Sequence, residues 1–193
     1  MGKLIVSENM TLDGVTEDPT GDDGIEGGGG WFIRGMGEDR PVWADAEFAE
    51  AREASALLMG RRSDAYFGAR WNTMPGEWAD WSRSLPKYVV SSTIATSVWV
   101  NGTVLRGDVV DEVRALKARI DGTILTYASR LLVQTLLEHD LVDELHLTVF
   151  PVVAGSGKRL FDGASMERSL RLRSTETVGA GLTRLVYDVV HVD

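Results

Sequence analysis

The 193-residue chain contains no cysteine, which excludes disulfide bridges, thiolate metal sites and cysteine nucleophiles. It is also short of cations: 20 Lys and Arg stand against 29 Asp and Glu, a formal charge of -9. Coating nucleic acid requires a basic face from which counterions are released, so that class of partner is excluded. The three histidines, His139, His146 and His191, are scattered without metal-ligand spacing, and no metal is expected. No apolar run approaches the roughly 20 residues of a membrane span. The apolar part of the opening MGKLIVSENM is too short for a signal peptide. A cytoplasmic protein without a membrane partner is expected.

What is present is ordinary globular material, 44% hydrophobic and 25% charged, of a length that suits one domain over residues 1–193. Strands and helices alternate. KLIVSEN reads as a strand buried on both faces. Residues 11–43 show no convincing element, and TEDPTGDDGIEGGGG within them is expected to be a mobile loop. WADAEFAEAREAS is helical in composition, ALLM is a strand, SDAYF opens a helix, and GEWADWSRSLP is a short helix stopped by Pro86. KYVVSS is a third strand. DVVDEVRALKARI places Val109, Val113, Leu116 and Ile120 on one helical face. GTILTYA is a strand, and SRLLVQTLLEHDL a helix that turns Leu132, Leu136 and Leu137 inward. Three late strands follow, ELHLTVF, SLRLRSTETV and LTRLVYDVVHV; the first alternates Leu145, Leu147 and Val149 as a half-buried strand does. This rhythm predicts an α/β fold: a central mixed, mostly parallel sheet flanked by helices, with antiparallel strands at the carboxyl end.

Ligands of such sheets gather at the carboxyl ends of the strands, and three of those ends share a chemistry. ALLM runs into Gly60-Arg61-Arg62-Ser63, KYVV into Ser91-Ser92-Thr93, and TILTY into Ala128-Ser129-Arg130. Each hydroxyl taken alone reads as a helix cap. Together with the arginines they describe an anion cradle. Two cations at a helix start oppose the helix dipole, which favours an anionic ligand over a plain solvated face. Trp31, Phe32 and Trp43 flank the glycine-rich loop and suit an apolar wall for a ring-shaped substrate, whereas Trp71, Trp78 and Trp81 read as packing residues. GSGK at Gly155-Ser156-Gly157-Lys158 fails the P-loop pattern, because Val152 stands where glycine is needed and Arg159 where Ser or Thr is. The acidic run from Glu17 to Glu26 likewise fails the calcium-loop offsets.

LLMGRRSDAY, KYVVSST, MTLDG and YASRLLVQTLLEHDLVDELHLTVFPVVAGSGKRLF together resemble the dihydrofolate reductase-like superfamily, and within it the branch of the riboflavin-biosynthesis reductase domain. The resemblance spans nearly the whole chain. It implies an NADPH-dependent reductase of a small heterocyclic or carbonyl-bearing molecule, of the kind of a pterin or a riboflavin precursor. A binding protein that kept the fold without catalysis is the other reading. Gly60, Arg61, Arg62 and Ser63 match the turn that holds the adenosine 2′-phosphate and part of the pyrophosphate, with Arg61 foremost. Ser91, Ser92 and Thr93 match the segment beside the adenine ribose. Ala128 and Ser129, followed by Arg130, fall where relatives carry Gly-Ser under the pyrophosphate. Alanine there departs from the pattern and gives up glycine's conformational freedom. Gly155 and Gly157 fall in a loop bordering the substrate side. Dihydrofolate reductases proper carry a carboxylate on the helix before the GRR-type turn; here that helix offers Asp45 and Glu47, neither securely on the matching position. Asp13 of TLDG is the alternative acid, with an Asp-Gly turn as its plainer role. Relatives commonly dimerise, and the apolar LTRLVYDVVHV, taken as an edge in need of cover, predicts a homodimer.

Overall fold

The computed structural model describes residues 1–22, 29–162 and 167–191. The middle of the glycine-rich loop, expected to be mobile, lies outside the described residues. In chain order the elements are β1 (Lys3–Thr11), α1 (Trp31–Met36), a 3-10 turn (Gly37–Asp39), α2 (Arg40–Arg52), β2 (Ala54–Gly60), α3 (Arg61–Trp71), α4 (Glu77–Ser84), β3 (Lys87–Val90), β4 (Gly102–Leu105), α5 (Val109–Arg119), β5 (Thr123–Tyr127), α6 (Arg130–Glu138), β6 (Glu144–Phe150), β7 (Leu170–Val178) and β8 (Leu182–Val189). The strands hydrogen-bond in one mixed sheet in the order β4-β3-β2-β5-β1-β6-β8-β7. Contacts group the chain into two compact units, one of Met1–Val6 with Phe48–Val142 and one of Ser7–Glu47 with Asp143 onward.

The first unit is parallel. β2 pairs with β3 (Leu57↔Lys87 to Gly60↔Val90) and with β5 (Leu57↔Leu125), and β3 with β4. Ile5, Leu57, Met59, Leu85, Val89 and Leu125 form a core against which Trp81, Ile94 and Tyr127 pack. Each such buried side chain contributes about 1.5–3 kcal/mol relative to exposure. Trp71 and Trp78 meet with ring centroids 5.2 Å apart, and Phe48 lies 5.5 Å from Trp78, so these tryptophans pack as expected. Strand β4 has no sequence signal beyond GTVL, and pairing with β3 makes it. At the first residue of β3, Lys87 is fully buried. Its ammonium donates to the Leu85 carbonyl (2.7 Å), to Asn101 Oδ1 (3.3 Å) and to the Ser82 carbonyl, and lies 4.4 Å from the Trp99 ring centre. A cation at the carboxyl end of α4 complements that helix's dipole and ties it to β3 and the Asn101 turn.

The second unit is antiparallel in β6, β8 and β7, with β6 paired to β8 from Glu144↔Asp188 to Val149↔Thr183 and β8 to β7 through a bulge between Leu172 and Ser174. The edge is therefore β7, not the apolar β8, which lies between β6 and β7. Residues 170–177 of β7 are all exposed. Helix α1 and the early start of α2 fall where no element was expected. Burial makes α1: Trp31 and Met36 enter a core with Phe150, Val178 and Leu182, which a six-residue helix with glycine inside does not advertise. Gly35 admits that packing, since a Cβ there would stand 2.7 Å from Val152 Cγ2. β6 is also buried on both sides: its polar members Glu144 and Thr148 are as covered as Leu145 and Leu147.

Candidate functional site

In the first unit the order β4-β3-β2-β5 sets the carboxyl ends of β3, β2 and β5 side by side, as their chemistry required. Gly60 is the last residue of β2 and sits opposite Val90, one residue before Ser91. Helices α3 and α6 start directly from two of these ends, and neither N-cap residue, Gly60 or Ser129, caps its helix with a side chain. Instead Ser129 Oγ accepts from the Gly60 amide at 3.0 Å and donates to Ser63 Oγ at 2.8 Å. That hydroxyl pair joins the β2 turn to the β5 turn and points two helix amino termini at one place, an arrangement suited to phosphate.

Ala128 and Ser129 both hold left-handed backbone, φ 49° and 62°. For a residue with a Cβ that conformation costs about 1–2 kcal/mol, and two in succession mark stored strain of the kind that functional turns carry. The alanine that breaks the relatives' Gly-Ser pattern thus keeps the glycine conformation. Arg61 and Arg62 are exposed at the start of α3, and neither is in an ion pair with a described residue. Arg130, half-buried, donates to Gln134 Oε1 at 3.1 Å. Beyond β3, Ser91 Oγ accepts from the Thr93 and Ile94 amides at 3.2 and 3.4 Å, forming a tight turn that leaves Ser92 and Thr93 exposed. Buried Asp64 fixes the next loop, accepting from Ser97 Oγ at 2.6 Å and the Val98 amide at 3.4 Å.

In the second unit Asp13 meets Gly155 and the Arg159 strap. Its Oδ1 accepts from Thr11 Oγ1 (2.6 Å) and the Ala154 amide (3.0 Å), its Oδ2 from the Gly155 amide (3.0 Å), and Arg159 Nε donates to its carbonyl (2.8 Å). These bonds, the Thr11 hydroxyl foremost, hold the carboxyl down at about 2. An acid that strong is an anion at neutral pH, and its bonds make Asp13 a latch between the TLDG turn and the 154–159 loop. Gly157, at φ 109°, admits the close approach of Val15, whose Cγ1 a Cβ would meet at 2.8 Å. Trp31 does not line an open wall. It is fully buried, donates from Nε1 to the Glu17 carbonyl at 3.0 Å, and stacks edge-on against Phe150. Phe32 is the half-exposed ring of the pair, 5.0 Å from Trp43.

Sequence reasoning weighed Glu47 but missed the carboxyl beside it, Glu8. Glu8 of β1 and Glu47 of α2 are both buried. Glu8 is pushed up to about 8 by burial first and by Glu47 second. Burial raises Glu47 too, while Arg184, the hydroxyl of Thr148 (3.3 Å) and His146 pull it back. The signal available was a glutamate inside a strand, KLIVSEN, read as buried on both faces. Among the described residues no group of three or more His, Asp or Glu side chains is arranged to hold a metal.

Hydroxyl-bearing strand ends set side by side in a mixed sheet of this order define the class of fold, and comparison places the chain within a family. Residues 2–183 match the RibD C-terminal domain, and the chain belongs to that family. It is 32% identical over 190 residues to the uncharacterized protein YyaP of Bacillus subtilis, covering 96% of this chain and 94% of that one. Among solved structures it is similar to a putative riboflavin biosynthesis protein from a Shewanella species (TM-score 0.69, 21% identity, 98% of this chain and 99% of that one). It is also similar to a pyrimidine reductase-like protein from Corynebacterium diphtheriae (0.65, 16%, 99% and 93%). A third is the dihydrofolate reductase of Enterococcus faecalis, solved with NADP(H) (0.59, 14%, 97% and 96%). At these identities the structures establish the fold. No described helix is long and apolar enough to cross a membrane.

Proposed function

We propose that the protein is an NADPH-dependent reductase of a small heterocyclic or carbonyl-bearing molecule. The observation that carries this reading is the Ser129 bridge: one hydroxyl binding the Gly60 amide and Ser63 Oγ, so that two uncapped helix starts face one position. Gly60, Ser63, Ala128, Ser129 and Arg130 would hold the pyrophosphate, Arg61 with Arg62 the 2′-phosphate, and Ser91, Ser92 and Thr93 the adenine ribose. A guanidinium fork suits a phosphate monoester, and the two exposed arginines, in no ion pair with a described residue, leave that fork available. When bound, NADPH supplies the hydride; the chain's part is to orient it, exclude water and supply a proton. Phe32, Gly155 and Gly157 border the substrate in this reading.

The second reading, a nucleotide-binding protein without catalysis, draws on the Asp13 latch, whose bonds engage the acid that the TLDG turn offered. Two measurements separate them. Calorimetric titration should show NADPH bound more tightly than NADH, and spectrophotometry should show NADPH consumed with a panel of cyclic ketones, imines and reducible heterocycles. Binding without consumption favours the second reading, and no binding of either nucleotide removes both.

A further inference from the structure

Within the second unit, a directed hydrogen-bond donor stands beside a partly open aromatic cluster. Near the end of β1, Asn9 Oδ1 accepts from the indole Nε1 of Trp43, on α2, at 3.1 Å. An indole N–H only donates, so this contact fixes which amide atom faces the ring and turns the amide NH2 away from it. Asn9 is half-buried, and its Nδ2 makes no hydrogen bond with a described residue. Trp43 is half-buried as well, and Phe32 stands edge-on to it, with ring centroids 5.0 Å apart and 83° between the planes. Buried Phe150 backs Phe32 at 5.1 Å, and both Phe32 and Trp43 pack against the core that holds Trp31 and Phe150. The two rings are therefore held by a filled core while part of each stays in solvent.

We propose that Asn9, Trp43 and Phe32 form a binding site for a flat ring that carries a hydrogen-bond acceptor, a ring ketone or a ring nitrogen lone pair, and that Asn9 selects for the acceptor. The ring lies against the aromatic pair in offset or edge-on contact, and its acceptor takes an N–H of Asn9 Nδ2. The selection follows from the direction of the amide. To offer its oxygen to a ligand, Asn9 would have to turn over and set its NH2 against the Trp43 N–H, which leaves both donors without an acceptor and costs roughly tenfold or more in affinity. A ring edge that offers only N–H groups is refused on that ground, and a ketone without a flat ring forgoes the aromatic contact. The site goes beyond the reductase reading: it lies wholly in the second unit and needs no nucleotide.

Three soluble probes separate the parts: chromone, a flat bicycle with a ketone and no N–H; indole, of similar size, with an N–H and no strong acceptor; and cyclohexanone, a ketone without a flat ring. Nuclear magnetic resonance of the isotope-labelled full chain, without nucleotide, reads binding at the Asn9 amide and Trp43 indole signals. Chromone should bind roughly tenfold or more tighter than either other probe and move the Asn9 NH2 signals. Asn9→Asp keeps an oxygen for Trp43 and removes the donors, so it should lose chromone by roughly tenfold or more while the Trp43 signal is retained. Asn9→Ala should weaken chromone roughly three- to tenfold, and serves if the aspartate variant does not fold. Trp43→Phe keeps a ring and frees the amide to turn, so indole should rise toward chromone in affinity, a change of selectivity that a packing role would not produce. Asn9 amide signals unmoved by millimolar chromone, equal binding of chromone and indole by the parent, or chromone affinity unchanged in the Asn9 variants overturns the proposal. NADPH binding and consumption are read in separate titrations, so the reductase reading stands or falls independently.

Discussion

Replacing Glu8 by glutamine should make the protein more stable above neutral pH. The carboxyl ordinarily titrates at 4.5 and in the fold at about 8. Because the folded value is the higher, Glu8's favourable contribution is complete below about pH 4.5 and is lost as pH rises toward 8, where the buried group ionises. At about 1.4 kcal/mol per decade, that interval corresponds to roughly 5 kcal/mol between its acid and alkaline ends. Glutamine does not titrate, so the variant loses this slope. Its amide leaves a buried donor short of a partner, a cost of about 1–3 kcal/mol, so a net gain of roughly 2–3 kcal/mol is expected at pH 8. For a chain of this length that corresponds to about 5–10 °C in Tm. Near pH 5 the balance reverses and the variant should be the less stable protein. Urea unfolding of both proteins at half-unit steps from pH 5 to 8.5, read as the difference in midpoint, isolates Glu8 with the one neighbour it is coupled to, Glu47. Parallel curves would refute the reasoning, because they would mean that Glu8 is ionised in the folded protein at neutral pH.

Other outcomes are expected elsewhere in the chain. Arg61→Ala should weaken NADPH ten- to hundredfold, about 1.5–3 kcal/mol for a hydrogen bond to a charged group, and leave NADH nearly unchanged by calorimetry; equal losses would mean that the arginine does not read the 2′-phosphate. Ala128→Gly should relieve the left-handed strain at φ 49° and raise stability by about 0.5–1 kcal/mol, measured by thermal unfolding; a loss would place the strain elsewhere. Asp13→Asn should free the 154–159 loop to protease, and the parent alone should lose an Asp13 contribution as pH falls below 3.8 through about 2, seen as a difference in acid unfolding midpoints. Light scattering should find a homodimer, with the exposed β7 edge its place of contact and Leu172→Lys, on that edge, splitting it; a monomeric parent at micromolar concentration would remove the idea.

The parallel half of the fold was legible because its signals are local. Apolar runs of strand length, helical periodicity at Val113 and Leu116, and Gly60, Ser91 and Ser129 at strand ends needed only the 2.0 and 3.6 periods and the turn chemistry. The grouping of those ends followed once the strands were neighbours. Helix α1 and strand β4 were not legible, since each is made by what it packs or pairs against. The edge was misassigned for a similar reason: β8 is apolar because β6 and β7 cover both its sides, and an apolar strand at the end of a sequence does not announce its place in the sheet.

The buried charges were least legible, and they separate the fold's structural polarity from its chemical polarity. Lys87, Lys117, Glu8, Glu47 and Glu144 are all buried, though their types are mostly exposed unless paired. Lys87 is answered by three oxygens, Lys117 Nζ donates to the Leu141 carbonyl at 2.8 Å, and Glu144 meets Arg173 and His146. Each holds elements together, as a satisfied buried charge does. Glu8 alone among them has an oxygen with neither solvent nor a described partner. A chain under selection for stability alone would lose such a group to glutamine or leucine, and its retention in the middle of a strand costs the fold at neutral pH. Stability given up at one titratable position, beside a carboxyl that burial also pushes up, sets Glu8 apart from the satisfied charges that tie the elements together.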